Sequence, residues 1–425
     1  MSARDHRARH RGRHRKLDAD ARAGHVPGHA HGHAHGHAHG HRPAPPADRV
    51  VRTWIAALLV PCALATAVGL VLLYPFGEPA AADDVGAVRV DGHVTSATET
   101  FCGDDPGAEG CLALTVAIGD GPLAGQSVVT EVSVVRGDAP FGAGDDVVLS
   151  VPEDELTDPG AYAVVDFQRD HSLLVLAMLF AAAVVALGGR RGLAALAALA
   201  LTATTLIAFV LPAILAGRDP LAVAVVGCCA IMFGALYLTH GFSARTSTAV
   251  LGTLVSLVLI GLLGTAFAHL ARLTGADEDT ANLAAALGTG VDGRGLVLAG
   301  LMIGALGALD DVTVTQTSAV WELRQADPGL RSAALFRSAM RIGRDHVASA
   351  VNTLVLAYAG TTLPLLLVFS ANQRGLGDVL TTQVVATEVV RTLVGSIGVV
   401  ASVPVTTAVA VAVVTRNRPR VARRA

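Results

Sequence analysis

Eight long apolar segments constrain the fold of this chain more than any other feature of its sequence. A helix needs about 20 apolar residues to cross about 30 Å of hydrocarbon, and a backbone in lipid must satisfy its own hydrogen bonds. Only 16% of the residues are charged, whereas soluble domains carry about 25%. The sequence therefore predicts an α-helical polytopic membrane protein with about eight transmembrane helices. A further apolar stretch, 281–287, is too short to span and is predicted to be re-entrant or interfacial. The predicted spans are residues 53–73, 171–188, 193–215, 221–239, 248–270, 295 into the 310s, 347–370 and 388–415.

Basic residues in the short loops indicate the orientation of these helices. If the N-terminus is inside, Arg190, Arg191, Arg245 and the five arginines of segment 323–346 all fall on the inner side. The last ten residues hold five arginines and no acid, and eight spans return them to that side. We expect a multi-pass protein of the bacterial cytoplasmic (inner) membrane with both termini in the cytoplasm. A cleaved signal is the alternative for the first span, but its long basic tail and the lack of a clear cleavage site favour an uncleaved anchor.

Composition divides the chain into five parts. The N-terminal residues are of low complexity and cannot bury a core, so we expect them to be disordered. Segment 83–166, between the first two spans, holds seventeen acidic residues and two arginines. The predicted parts are a disordered Arg/His-rich cytoplasmic tail (1–50), the first transmembrane helix (51–75), an extracytoplasmic β domain (83–166), a seven-helix membrane domain (171–415) and a basic cytoplasmic tail (416–425).

Five short runs of alternating polarity predict strands in segment 83–166. Clusters of Gly, Asp and Pro separate them, which favours a small all-β barrel or sandwich, with an OB-like barrel as one alternative. Cys102 and Cys111 bracket an eight-residue polar loop there. Outside the membrane such a pair predicts a disulfide, and two free thiols are the alternative.

Two segments of the sixth and seventh predicted spans resemble a known family. They read GALGALDDVTVTQTSAVWEL at 304–323 and GRDHVASAVNTLVLAYAGTTLPLL at 343–366. Over about residues 85–415 the chain is similar to the YibE/F-like family of bacterial multi-spanning membrane proteins. The resemblance implies the architecture, and it implies no substrate, reaction or site residue.

Ionisable residues within a membrane helix are candidates for a functional site. Asp310 and Asp311 come about fifteen residues into the sixth span, about 22 Å deep, and a run of hydroxyl and amide side chains follows. Polar residues of the seventh span have matching depths, so neighbouring helices would bring the two groups into one inner cavity. Such a cavity is suited to binding a cation or relaying protons. The predicted ion- or substrate-binding residues are Asp310, Asp311, Thr313, Gln316, Thr317, Asp345, His346 and Asn352.

Some of these residues, and one pair further along the chain, have simpler alternative roles. Asp310 and Asp311 would mark the end of a shorter span. Asp345 stands where a carboxylate caps a helix N-terminus. Glu388 and Arg391, three residues apart, predict an ordinary intrahelical pair near the outer interface.

The N-terminal tail carries seven histidines at alternate positions. Imidazole binds Zn²⁺, Ni²⁺ and Cu²⁺ well, and a flexible chain supplies several ligands to one ion. We expect metal buffering or sensing here, with a neutral expansion of the repeat as the alternative. The predicted metal ligands are His29, His31, His33, His35, His37, His39 and His41.

Motifs typical of enzymes are missing from the sequence. It has no G-x-x-x-x-G-K-[ST], no G-x-S-x-G and no C-x-x-C. We therefore expect no enzyme and no nucleic-acid partner, and an intramembrane enzyme is a distant third hypothesis. The leading hypothesis is a transporter or permease for a cation or small solute, embedded in the lipid bilayer. The second is a scaffold or sensor whose β domain binds an envelope protein.

Overall fold

Helices account for most of the computed structural model, which describes residues 49–77, 87–101, 110–133, 141–275, 292–371 and 375–416. Within these ranges, eight helices are long and apolar enough to cross a membrane, which confirms the predicted number. They are α1 (Arg49–Leu73), α2 (Asp170–Gly188), α3 (Arg190–Leu215), α4 (Pro220–His240), α5 (Ala244–Leu270), α6 (Gly293–Ala326), α7 (Ser332–Ala371) and α9 (Gln383–Arg416); the short α8 (Leu376–Thr381) precedes α9.

The sixth and seventh helices are longer than predicted. α6 continues to Ala326 and α7 already begins at Ser332. At about 1.5 Å per residue, α6 is about 51 Å long and α7 about 60 Å, so both exceed the hydrocarbon thickness. The helix thus continues beyond Asp310 and Asp311, and the alternative that these residues mark the end of a shorter span stays a prediction. Asp345 lies inside α7, so its expected capping role is wrong. Stretch 281–287 lies outside the described residues.

Local sequence explains the helix ends and one irregularity. Asp219 accepts a hydrogen bond from the Ala222 N–H at 2.6 Å and so begins α4, with proline in the first turn. Ser243 caps α5 in the same way through Thr246 N–H, at 3.1 Å. α3 contains a π-helical turn at Leu206–Val210, directly before Pro212. Proline lacks an N–H and crowds the preceding turn, which accounts for the local widening.

The centre of the bundle is formed by α5, α6 and α9, each in extensive contact with the other two. α7 packs on α6 and α9, α4 packs on α6 and α3, and α1 crosses α4 and α5. Hydrogen bonds and close contacts pair higher residues of α6 with higher residues of α9, so these two helices are parallel. α5 and α7 run antiparallel to them.

A glycine allows a close approach in this centre. A Cβ on Gly252 of α5 would lie 2.3 Å from Thr406 Oγ1 of α9. Small residues at such crossings allow membrane helices to pack, because lipid supplies no hydrophobic force between them.

α2 is the most peripheral helix and contains no buried residue. It meets α3 at a corner formed by Gly189, which has φ 54° and no atom within 4 Å of an added Cβ. Beyond the corner, Gly192 lies against the α2 backbone, where a Cβ would be 2.3 Å from Val184 O.

Five antiparallel strands form one sheet before α2, in the order β3-β2-β1-β4-β5. The number of strands agrees with the prediction. The edge strands β3 and β5 also approach each other. The strands are β1 (Ala87–Phe101), β2 (Gly110–Ile118), β3 (Ser127–Ser133), β4 (Asp146–Pro152) and β5 (Ala163–Phe167).

The sheet has its own apolar core on one face. Val94, Leu114, Val147 and Leu149 are fully buried there, as the alternation in each strand requires. β1 ends with Phe101 opposite Gly110 of β2, so the loop that carries the predicted bridge leaves and re-enters the sheet at adjacent points. Cys111 is buried on β2, whereas Cys102 lies outside the described residues, and the disulfide stays a prediction.

Candidate functional site

Asp310 lies in α6 and faces the interior of the bundle. Its Oδ1 atom is buried and has no hydrogen-bond partner among the described residues. Leu309 and Val312, which flank it along the helix, belong to the main apolar core. A buried carboxylate oxygen without a partner is costly in a protein interior and more so within a membrane. This makes Asp310 a candidate for a functional site.

One turn further along α6, Thr313 ties this helix to α5. Its Oγ1 lies 2.8 Å from Thr253 Oγ1, and both side chains are buried. Thr253 Oγ1 also donates to Ala249 O at 3.1 Å. The pair fixes the register of α5 against α6 next to Asp310.

Gln316 joins α6 to two further helices. Its Nε2 donates to Ala339 O of α7 at 3.0 Å and to Thr407 Oγ1 of α9 at 2.6 Å. Gly343 of α7 makes room for the amide, because a Cβ there would lie 2.6 Å from Gln316 Oε1. Gln316 thus links α6 to α7 and to α9, on the C-terminal side of Asp310.

Two buried hydroxyl groups in the same region are unused. Thr317 Oγ1 of α6 and Thr406 Oγ1 of α9 have no partner among the described residues. The α6–α9 register places Thr406 at the level of residue 315. Asp310 and these two threonines therefore fall within about 10 Å along the helix axes. Asp310, Thr313, Thr317 and Thr406 thus lie at neighbouring levels of α6 and α9, and we refer to these four residues as the buried oxygen cluster.

The other predicted site residues lie on the outside of α6 and α7. Asp311 has a side chain that is 73% exposed, and its Oδ2 is 3.9 Å from His346 Nε2. Asp345 and Asn352 are exposed on α7, and Asn352 makes no hydrogen bond within the described part of the chain. The structure thus separates the predicted group into an inner set (Asp310, Thr313, Gln316 and Thr317) and an outer set.

Sequence reasoning missed the α5 and α9 members of the interior. Thr253 and Thr406 stand in apolar runs, where a single hydroxyl is common and usually bonds its own helix. For Thr253 the available signal was its position directly after Gly252. Thr406 meets Gly252 only in the folded structure, so the sequence carried no such signal for it.

Glu388 and Arg391 form the predicted intrahelical ion pair at the start of α9. The pair is more buried than an interfacial pair would be, because its side chains are only 21% and 23% exposed. Glu388 Oε2 and Arg391 Nε are buried, and neither has a partner among the described residues.

No group of three or more His, Cys, Asp or Glu in the described ranges has the arrangement of a metal centre. The histidines from His29 to His41 lie outside the described residues, so metal binding by the tail stays a prediction. Around Asp310, the buried side-chain atoms without a partner in the described chain are one carboxylate oxygen and the hydroxyl oxygens of Thr317 and Thr406. Such atoms suit protons and hard cations rather than Zn²⁺, Ni²⁺ or Cu²⁺.

Comparison with known proteins gives one match. The family model described as YibE/F-like protein matches residues 176–416, which is more than half of the chain. The matched part begins inside α2, whereas the resemblance was expected from about residue 85. Neither curated proteins nor solved structures gave a match.

Proposed function

The chain belongs to the YibE/F-like family, and we propose that it is a transporter or permease without enzymatic activity whose site surrounds Asp310. The observation that carries this proposal is the buried, unpartnered Oδ1 of Asp310 within a long apolar helix. A stable fold gains nothing from such an atom, whereas a transport site needs a group that stays available for a ligand.

The buried oxygen cluster favours a proton or a hard monovalent cation as the ion. Asp310 supplies the negative charge, and the unused hydroxyls of Thr317 and Thr406 supply neutral oxygen ligands. A cation that lost its hydration shell here would regain oxygen contacts and neutralise the carboxylate. A small solute would then move with this ion or beside it.

We further propose that the protein is in the bacterial inner membrane, with both termini in the cytoplasm and the β domain outside. The five arginines of segment 323–346 and those of the C-terminal tail support this orientation. The strand order and the approach of β3 to β5 support an OB-like barrel for the β domain.

Ion flux into proteoliposomes tests the function with a matched pair of variants. Purified full-length protein is reconstituted, and uptake of ²²Na⁺ and of protons, followed by an internal pH dye, is measured under an imposed gradient. Asp310→Asn should reduce the saturable flux at least about tenfold, because removing a charged ligand costs about 1.5–3 kcal/mol. Asp311→Asn, next to it but exposed, should leave the flux within about twofold.

Equal flux in wild-type and Asp310→Asn protein, with both folded, would remove Asp310 from the mechanism. A chain lacking residues 29–41 separates the histidine tract from the ion site. Cellular Zn, Ni and Cu content that changes only with that deletion would assign metal handling to the tail alone.

A scaffold or sensor is the second candidate, and the β domain favours it. Val129 on β3 and Val165 on β5 are 65% and 54% exposed. Exposed apolar side chains of this kind are candidates for contact with another protein. Crosslinking in cells with full-length protein should capture an envelope protein in wild type and lose it in Val129→Lys. Such a result together with no ion flux would favour this candidate.

A further inference from the structure

The Glu388–Arg391 pair lies well away from the buried oxygen cluster. Arg391 covers Gly300 of α6, because a Cβ added to Gly300 would lie 3.4 Å from Arg391 Nη2. Gly300 is ten residues from Asp310 along the same helix, which corresponds to about 15 Å. The pair therefore needs an explanation of its own.

α7 brings a third polar group to the same face of α6. A Cβ on Gly304 would lie 2.3 Å from Tyr358 Oη. Tyr358 is half-buried and interacts electrostatically with both Glu388 and Arg391. Two glycines one turn apart thus let a guanidinium from α9 and a phenol from α7 lie directly on the α6 backbone.

Further along α6, the same face is open at its next glycine. Gly307, the next residue on this side of α6, has no atom within 4 Å of an added Cβ. Gly307 is exposed and lies seven residues from Gly300, which is about 10 Å along α6. A ligand on this face would therefore have to reach from the open side at Gly307 to the tyrosine and the ion pair.

The unused atoms of the pair specify the chemistry of a ligand. Arg391 Nε offers an N–H donor and Glu388 Oε2 offers an acceptor, and both are buried without partners in the described chain. The pair is neutral as a whole, so a simple ion gains little from it. A molecule with a carboxylate for the arginine and an ammonium for the glutamate satisfies both atoms with charge-assisted hydrogen bonds.

We propose that Glu388, Arg391 and Tyr358 form a binding site for a small zwitterionic solute of the amino-acid type, on the glycine face of α6. Calling this solute the transported substrate rests on the proposed function. The binding itself does not, because it requires only the three side chains and the space beside Gly307.

Binding to purified full-length protein in detergent tests the site. The probes are the neutral amino acids from glycine to leucine, with methylamine as the cation-only control and acetate as the anion-only control. A saturable rise in melting temperature is expected with at least one amino acid and with neither control. Glu388→Gln and Arg391→Gln should each weaken that binding at least about tenfold, and Tyr358→Phe should weaken it less.

Two further variants keep the result interpretable. The double variant Glu388→Gln/Arg391→Gln removes both charges and leaves no single buried charge, so it should fold even if the single variants do not. Asp310→Asn should retain amino-acid binding while it loses ion flux, which separates this site from the ion site. Amino-acid binding retained in the folded double variant, or no binding of any neutral amino acid to the wild type, would overturn the proposal.

Discussion

Single hydroxyl groups in the bundle differ in their bonding, and this gives a matched pair of variants. Thr313→Val removes the buried bond to Thr253 and should lower the free energy of unfolding by about 0.6–1.5 kcal/mol. Thr317→Val removes a hydroxyl that has no partner in the described chain, so it should be neutral or stabilising. Unfolding in detergent micelles measures both. A loss in Thr317→Val as large as that in Thr313→Val would mean that a bound ligand or water uses this hydroxyl.

An exposed ion pair just before α2 gives a pH-dependent prediction. The pKa of Asp166 lies below its usual range, mainly because Arg169 donates a hydrogen bond to it at 2.7 Å and also because the Phe167 N–H does so. A carboxyl group with a lowered folded pKa adds stability above its unfolded pKa of about 3.9. That stability disappears as the pH falls through the lower, folded value.

The melting temperature of the wild type should therefore fall slightly more between pH 4 and pH 2.5 than that of Asp166→Asn. Both residues are more than half exposed, so the difference is small. Glu153→Gln, which removes an exposed acid from the turn after β4, serves as the control. An identical pH profile in Asp166→Asn and wild-type protein would contradict the role of this pair.

At the level of single residues, the sequence identified the polar side chains of the candidate site but not the residues that they contact. The helical spacing of residues 310, 313 and 317 places them on one face, and the structure buries Thr313 and Thr317 there. Asn352 matched them in depth and yet lies on the outer face of α7. Depth follows from counting residues, whereas the direction a side chain faces depends on how α7 is rotated against α6, which apolar periodicity did not specify.

Glycines affect the stability of the bundle through the close contacts that they allow between helices. Gly252→Ala places a methyl group 2.3 Å from Thr406 Oγ1 and 3.1 Å from its Cβ. Since that β-branched side chain has little freedom to move, the change should cost about 1–3 kcal/mol. Gly307→Ala, in open space on α6, should be neutral or stabilise by up to about 1 kcal/mol. Equal melting temperatures of the two variants would contradict the close α5–α9 approach.

The number and order of the elements followed from the sequence because each has a strong period or length. Eight apolar runs of sufficient length gave the helices, and alternation with Gly and Asp turns gave the strands. The starts of α6, α7 and α9 were placed too late, by two to fifteen residues. Packing against neighbouring helices extends α7 into its arginine-rich start, as the burial of Leu335 and Ala339 indicates.

For the whole molecule, orientation is the prediction to test. Alkaline phosphatase inserted at Gly125, in the turn between β2 and β3, should be active, since that enzyme folds only outside the cytoplasm. Green fluorescent protein fused after residue 425 should fluoresce, since it folds in the cytoplasm. An inactive phosphatase at Gly125, or a dark C-terminal fusion in a well-expressed chain, would reverse the proposed topology.

The peripheral position of α2 determines how the β domain is attached to the bundle. This helix buries no residue, and it turns at Gly189, a corner with free space around it. Beyond that corner α2 packs against α3, where Gly192 lies on the α2 backbone. A force on the β domain that is carried along α2 would therefore act first on α3, and mainly through it on α5, α6 and α9.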